Sequence, residues 1–142
     1  MDILTKAERS ARMRLIRSKD SKFELRVRSA VHHLGYRFRK HVPTLPGKPD
    51  MVFASRRKII FINGCYWHGH NCHLLRLPKS NSAYWNPKIR ANSARDARHR
   101  LELKRTGWKV LTVWECQRAD FGSLMARIRD FLGSPPLRHN TR

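Results

Sequence analysis

The sequence predicts an α/β fold, with a central mixed β-sheet flanked by helices in one domain. Three observations lead there. The 142 residues suit one domain with a real hydrophobic core. Apolar periodicity switches along the chain between helical and strand spacing, in the order α-β-β-β-loop-α-β-α. No internal repeat or low-complexity block interrupts that order.

Residues 1–20 are rich in Lys and Arg and weakly periodic, which reads as a basic arm. A helix is expected from Ser21 to His33. Ser21 and Glu24 form an S-x-x-E capping box, Phe23, Val27, Ala30, Val31 and Leu34 make a helical stripe, and Gly35 ends it. YRFRKHV (36–42) alternates large and basic residues like a half-buried strand. TLPGKP (44–49) is a loop by its prolines and glycine. DMVFA (50–54) and KIIFI (58–62) are short β-rich runs, and the SRR between them suits a hairpin. Asn63-Gly64 closes the second run.

Residues 63–86 lack periodicity and hold most of the unusual chemistry. A helix is expected over about Pro87 to Thr106, begun by Pro87 and ended by Gly107. WKVLTVWE (108–115) reads as a strand buried on both faces, with Trp108 and Trp114 in the core. Asp120 to Leu132 reads as a final amphipathic helix. The domain is thus expected over 21–132, between the arm at 1–20 and a loose tail at 133–142.

Thirty-one Lys and Arg against ten Asp and Glu give a net charge of +21. A compact chain holding that charge repels itself unless a polyanion is near, so nucleic acid is the first candidate partner. No apolar run approaches the length that spans a bilayer, and the N-terminus lacks the apolar core of a signal peptide. The three cysteines are an odd number without an export signal, which argues against a disulfide framework.

Those cysteines are Cys65, Cys72 and Cys116. The first and second bracket CYWHGHNC (65–72), and the third ends the later strand. A strand running beside the Asn63 end of its neighbour would gather all three. Three thiolates and one imidazole make a tetrahedral structural zinc set. His68, His70 and His73 all lie within reach, and spacing alone does not choose among them. A remaining histidine beside a carboxylate would be a natural general base. The alternative is three unrelated buried thiols.

Carboxylates are scarce, so each needs a reason. Glu24 has one as a member of the capping box, and Asp96 as an i,i+4 partner of Arg100. Asp50 opens a strand after a proline. It is open between capping a turn and binding Mg2+, an ion that takes one or two carboxylates beside phosphate oxygens.

The segments MRLIRSKDSKFELRVR (13–28), LPGKPD (45–50), IIFINGCYWHGHNC (59–72) and an N-x3-D with GWKVLTVWEC (92–116), in this order, resemble the very-short-patch-repair (Vsr) DNA mismatch endonucleases of bacteria. The resemblance runs from about Met13 to Cys116. It implies a fold related to type II restriction endonucleases and nicking of one strand of duplex DNA beside a T:G mismatch, the product of 5-methylcytosine deamination. It implies that Asp50 binds Mg2+ with the backbone carbonyl of Ile62, and that Glu24 is an outer carboxylate. It implies that His68 is the catalytic histidine, oriented by Asp96, and that Cys65, His70, Cys72 and Cys116 hold zinc. Tyr66, Trp67 and Trp85 match aromatics that wedge into the base stack, where unstacking costs least at a mismatch. The basic residues Lys6, Arg9, Arg12, Arg14, Arg17 and Lys19 are expected at phosphates, giving salt-sensitive binding. Many members carry a histidine where this chain has Asn63, which cannot become a cation.

The implied setting is the bacterial cytoplasm and nucleoid, with a monomer on DNA and mismatch-repair proteins as partners. Two rival readings are a restriction-type nuclease cutting matched sites and a zinc-stabilised DNA-binding protein whose catalysis weakened with Asn63.

Overall fold

The computed structural model describes residues 21–65 and 87–136. The arm at 1–20 and the segment 66–86 lie outside the described residues, as does 137–142 of the expected tail. Within them the order is α1 (Lys22–His33), β1 (Arg39–Lys40), β2 (Met51–Phe53), β3 (Lys58–Asn63), α2 (Pro87–Arg105), β4 (Lys109–Trp114) and α3 (Phe121–Leu132). The strands form one four-stranded sheet in the order β1-β2-β3-β4. Pairing is antiparallel from β1 to β3 and parallel between β3 and β4. The mixed sheet is therefore as expected, and α2 belongs to the long crossover that a parallel pair requires.

α1 begins where the sequence signals it. Ser21 Oγ accepts the Glu24 N–H at 3.2 Å, satisfying one of the donors that a helix start leaves over. The Glu24 carboxylate is turned toward Arg28 and His41, so it serves more than the cap. At the other end Gly35 takes φ +104 and its N–H reaches His32 O at 3.0 Å, the left-handed stop that glycine adopts without a Cβ clash.

The hairpin between β2 and β3 turns through a 3-10 segment, Ala54–Arg56, with Arg57 left-handed at φ 56. Its cations tie it to the end of α3. Arg56 Nη1 donates to Leu132 O at 2.8 Å, and Lys58 Nζ donates to Phe131 O at 2.7 Å. Positive charge at a helix C-terminus complements the exposed carbonyls and the dipole. Burial lowers the Lys58 pKa, and Lys109 and Arg56 lower it further. α3 itself starts on Asp120, whose carboxylate accepts the Ser123 N–H at 3.1 Å.

Side chains alternate along β3 and sort the core into two layers. Ile60 and Ile62 face α1 and α3, packing with Phe23, Val27, Val31, Met51, Val113 and Ile128. Ile59 and Phe61 face the other way, with Val42, Val52, Trp108 and Leu103 of α2. Each fully buried aliphatic side chain stabilises the fold by roughly 1.5–3 kcal/mol.

Two expectations are corrected. The strand expected over 36–42 shrinks to Arg39–Lys40, both exposed. Tyr36 and Phe38 are held instead by ring packing on Phe53, with centroids at 6.4 and 5.5 Å. Tyr36 also donates its hydroxyl to Gly133 O. The strand at 109–114 is not buried on both faces. Lys109 is exposed and Val113 alone is fully buried, with Trp108 and Trp114 half-buried. β4 is an edge strand among the described residues, and Trp108 has the Arg57 guanidinium 4.1 Å above its ring.

Candidate active site

The register makes β3 run past β2. Pairing starts at Phe53↔Lys58 and ends at Met51↔Ile60, so Phe61, Ile62 and Asn63 continue without a β2 partner. Asp50 stands at the start of β2, and its side chain takes over the pairing. Its Oδ2 accepts the Ile62 N–H at 2.6 Å. A strand residue's N–H and C=O point to the same side, so the Ile62 carbonyl faces the side on which Asp50 lies. A buried backbone donor needs a partner, and a carboxylate that supplies one is fixed in direction.

Around Asp50 the structure gathers α1 and the loop after β1. Glu24 is 5% exposed and Arg28 is 6% exposed, one helical turn apart on the same face. Arg28 Nη1 donates to Glu24 Oε2 at 2.5 Å. His41 Nε2 lies 3.2 Å from the same oxygen, and His41 Nδ1 lies 3.7 Å from Asp50 Oδ1. Glu24, His41 and Asp50 each present a ligating atom within 4.8 Å of the others. That donor set of two carboxylates and an imidazole fits a small divalent cation.

His41 is the residue that sequence reasoning missed. The alternation in YRFRKHV (36–42) places it only within a half-buried strand. It adopts φ 51, a left-handed conformation that costs a non-glycine residue roughly 1–2 kcal/mol. Its N–H donates to Asp50 O at 3.3 Å, and the Val42 N–H donates to Pro49 O at 3.2 Å, closing the loop that carries LPGKPD. A histidine close before that proline-rich loop was the only available signal.

On the α2 face of the sheet, Asn63 and Asp96 line a small cavity of about 10 Å³ with Phe61, His99 and Arg100. Asn63 is 6% exposed. The chain therefore sets Asp96 near the end of β3, on the face opposite Ile62. Beyond that end, β3 pairs with β4 as far as Asn63↔Trp114, which carries Cys65 beside Cys116. The Cys116 N–H donates to Cys65 Sγ at 3.3 Å. Cys65 is 3% exposed. A buried sulfur accepting a backbone N–H suits a thiolate, the form that binds zinc. His68, His70, Cys72, Tyr66, Trp67, Trp85, Arg12, Arg14, Arg17 and Lys19 lie outside the described residues. No helix among the described residues is long and apolar enough to cross a membrane.

The family model for DNA mismatch endonuclease Vsr matches residues 1–74. A type II nicking enzyme, V.XorIIP of Xanthomonas oryzae pv. oryzae, is 50% identical over 131 residues, which cover 92% of this chain and 96% of that protein. The DNA mismatch endonuclease Vsr of Escherichia coli K12 is 42% identical over 115 residues, 81% of this chain and 74% of that protein. A type II nicking enzyme of Neisseria meningitidis, V.NmeAIP, is 42% identical over 116 residues. The family-model match over residues 1–74 spans Glu24, Asp50 and Asn63 of the site just described, and on these likenesses the chain belongs to the Vsr family of DNA mismatch endonucleases.

Proposed function

We propose that this protein nicks one strand of duplex DNA beside a T:G mismatch by Mg2+-assisted hydrolysis of a phosphodiester. The observation that carries the reading is Asp50, a strand-start carboxylate locked by the Ile62 N–H beside a second carboxylate and an imidazole. Asp50, with the Ile62 carbonyl, would hold the cation. When bound, Mg2+ stabilises charge on the scissile phosphate and lowers the pKa of an attacking water.

The other roles belong to the chain's own groups. His68 takes the water's proton, and Asp96 orients that imidazole from the α2 side of the sheet. Asn63, buried at the end of β3, offers the phosphate a neutral hydrogen bond where a histidine would offer a charge. Tyr66, Trp67 and Trp85 insert at the mismatch. The net charge of +21 supplies phosphate contacts, including Arg12, Arg14, Arg17 and Lys19 of the basic arm. Cys65, His70, Cys72 and Cys116 hold a structural zinc. Four protein ligands leave that ion no open position, so it would brace the loop and take no part in the chemistry. The fold is of the restriction-endonuclease type, acting as a monomer.

The test is nicking of a labelled duplex carrying one T:G mismatch in varied flanks, against its T:A control, in Mg2+, with Asp50→Ala as the blank. Nicking at T:G alone, abolished in the blank, is expected. Cutting of both duplexes would make this a restriction-type enzyme. Binding without cutting of either would make it a DNA-binding protein, and Asn63→His should then restore cutting.

A further inference from the structure

The two ring nitrogens of His41 stand in different relations to the two carboxylates. Nε2 is 3.2 Å from Glu24 Oε2, within hydrogen-bond reach. Nδ1 is 3.7 Å from Asp50 Oδ1, which is too long for a hydrogen bond. Two ligands of one divalent ion, each roughly 2.1 Å from it, stand roughly 3.0 Å apart at a right angle and roughly 4.2 Å apart at most. The Nδ1–Oδ1 gap falls inside that range, so one ion can touch both atoms.

The neighbours are arranged to match. Asp50 Oδ2 accepts the Ile62 N–H at 2.6 Å, and Oδ1 is the oxygen nearer His41 Nδ1. A metal-bound imidazole characteristically donates its other N–H to a carboxylate, which fixes tautomer and ring orientation. Glu24 stands where that carboxylate belongs. Arg28 Nη1 lies 3.4 Å from His41 Nε2 but 2.5 Å from Glu24 Oε2, so both donors converge on that one oxygen. The backbone adds its own constraint, since His41 sits at φ 51 with its N–H on Asp50 O at 3.3 Å. A left-handed non-glycine residue persists only where its surroundings over-determine it.

We propose that His41 is a nitrogen ligand of the divalent cation that Asp50 binds, with Glu24 as the carboxylate that orients its imidazole through Nε2–H. The proposal rests on the reading of Asp50 as a metal ligand. Glu24 then acts on the cation through His41. A nitrogen among the donors also moves the site's preference from Mg2+ toward Mn2+ and the later transition metals, which imidazole suits better than it suits Mg2+.

The test uses the full chain with Mn2+. Binding is followed by electron paramagnetic resonance, and the ligand atoms by spin-echo modulation from 14N. The expected result is one Mn2+ bound in an Asp50-dependent way, with directly coordinated 14N. His41→Asn should abolish that coupling and weaken binding at least roughly tenfold. Asparagine suits this position because it tolerates positive φ. Glu24→Gln should keep the coupling and weaken binding roughly tenfold or more. Asp50-dependent Mn2+ without 14N coupling in the unmodified chain overturns the proposal, whatever the variants do. So does coupling that persists unchanged in His41→Asn. Mn2+ binding that is indifferent to Asp50→Ala overturns the reading of Asp50 itself, and the role of His41 with it.

Discussion

Replacing Arg28 with methionine tests how far the site depends on one buried ion pair. Arg28 and Glu24 have side chains 7% exposed, with Nη1 and Oε2 2.5 Å apart. On a solvated helix an i,i+4 pair contributes about 0.3–0.5 kcal/mol. Losing one partner of a buried pair costs about 3–5 kcal/mol, because the other charge is left in a poor dielectric. His41 Nε2, 3.2 Å from the same oxygen, still solvates it, which places Arg28→Met at the low end, about 3 kcal/mol. Methionine keeps most of the aliphatic stem, so lost packing adds little. For a chain of this size that is a fall in melting temperature of roughly 9 °C. Adding Glu24→Leu removes the stranded charge, so the double variant should regain much of the loss, with a coupling energy of about 2 kcal/mol. The assay is urea unfolding of the four proteins of the cycle at pH 7. A loss below about 1 kcal/mol for Arg28→Met, or a coupling near zero, refutes the reasoning, since the pair then behaves as if solvated.

Two further outcomes are expected. Gly47 holds φ +80, and a Cβ there would lie 3.1 Å from both His99 Nδ1 and Phe61 Cε1. Gly47→Ala combines a strained backbone with crowding at the Asn63–Asp96 cavity, and should lower stability by about 2 kcal/mol and slow mismatch nicking; an unchanged melting curve would contradict this. The unmodified chain should carry about one zinc per molecule by elemental analysis, and Cys65→Ser should lose most of it, as expected of a site that needs its thiolates; full zinc in Cys65→Ser would remove Cys65 from the ligand set.

The parts of this fold that the sequence makes legible are those whose signals are local. Ser21 and Gly35 bracket α1 because a cap and a left-handed stop are chosen by single residues, and the structure uses both. Asn63 likewise ends β3 where the Asn-Gly pair places it. The extent of β1 was not legible. The alternation in YRFRKHV reports the burial of Tyr36 and the partial burial of Phe38, and ring packing on Phe53 covers both without their belonging to the strand. The apolar run of β4 misleads in the same way. It counts apolar residues, while its position at the sheet edge, among the described residues, decides how many are covered. His41 was illegible for a different reason. Its place between Glu24 and Asp50 depends on a positive φ and on a backbone bond to residue 50, and neither leaves a mark in residue type. The spacing of Glu24 marks only a cap, and its reading as an outer carboxylate comes from the resemblance alone; its contact with His41 needs α1 set beside the hairpin.

The mismatch in strand lengths explains why these groups meet where they do. β3 has six residues and β2 has three, so β3 overhangs its neighbour by Phe61, Ile62 and Asn63. On the β2 side the overhang leaves backbone groups that must be paired. Asp50 meets that demand with a carboxylate, placing a negative charge at the sheet end where α1 delivers Glu24 and the preceding loop delivers His41. On the opposite edge the same three residues stay paired with β4, and this carries the chain on to set Cys65 against Cys116. The carboxylate site and the thiol pair are thus two consequences of one register. A shift of β3 by one residue would turn Ile62 to the α2 face and Asn63 to the other. It would also take the Ile62 N–H away from Asp50 and move Cys65 out of step with Cys116. The register is held by Ile59 and Ile60, fully buried on opposite faces, so core packing on β3 positions the chemistry at its end.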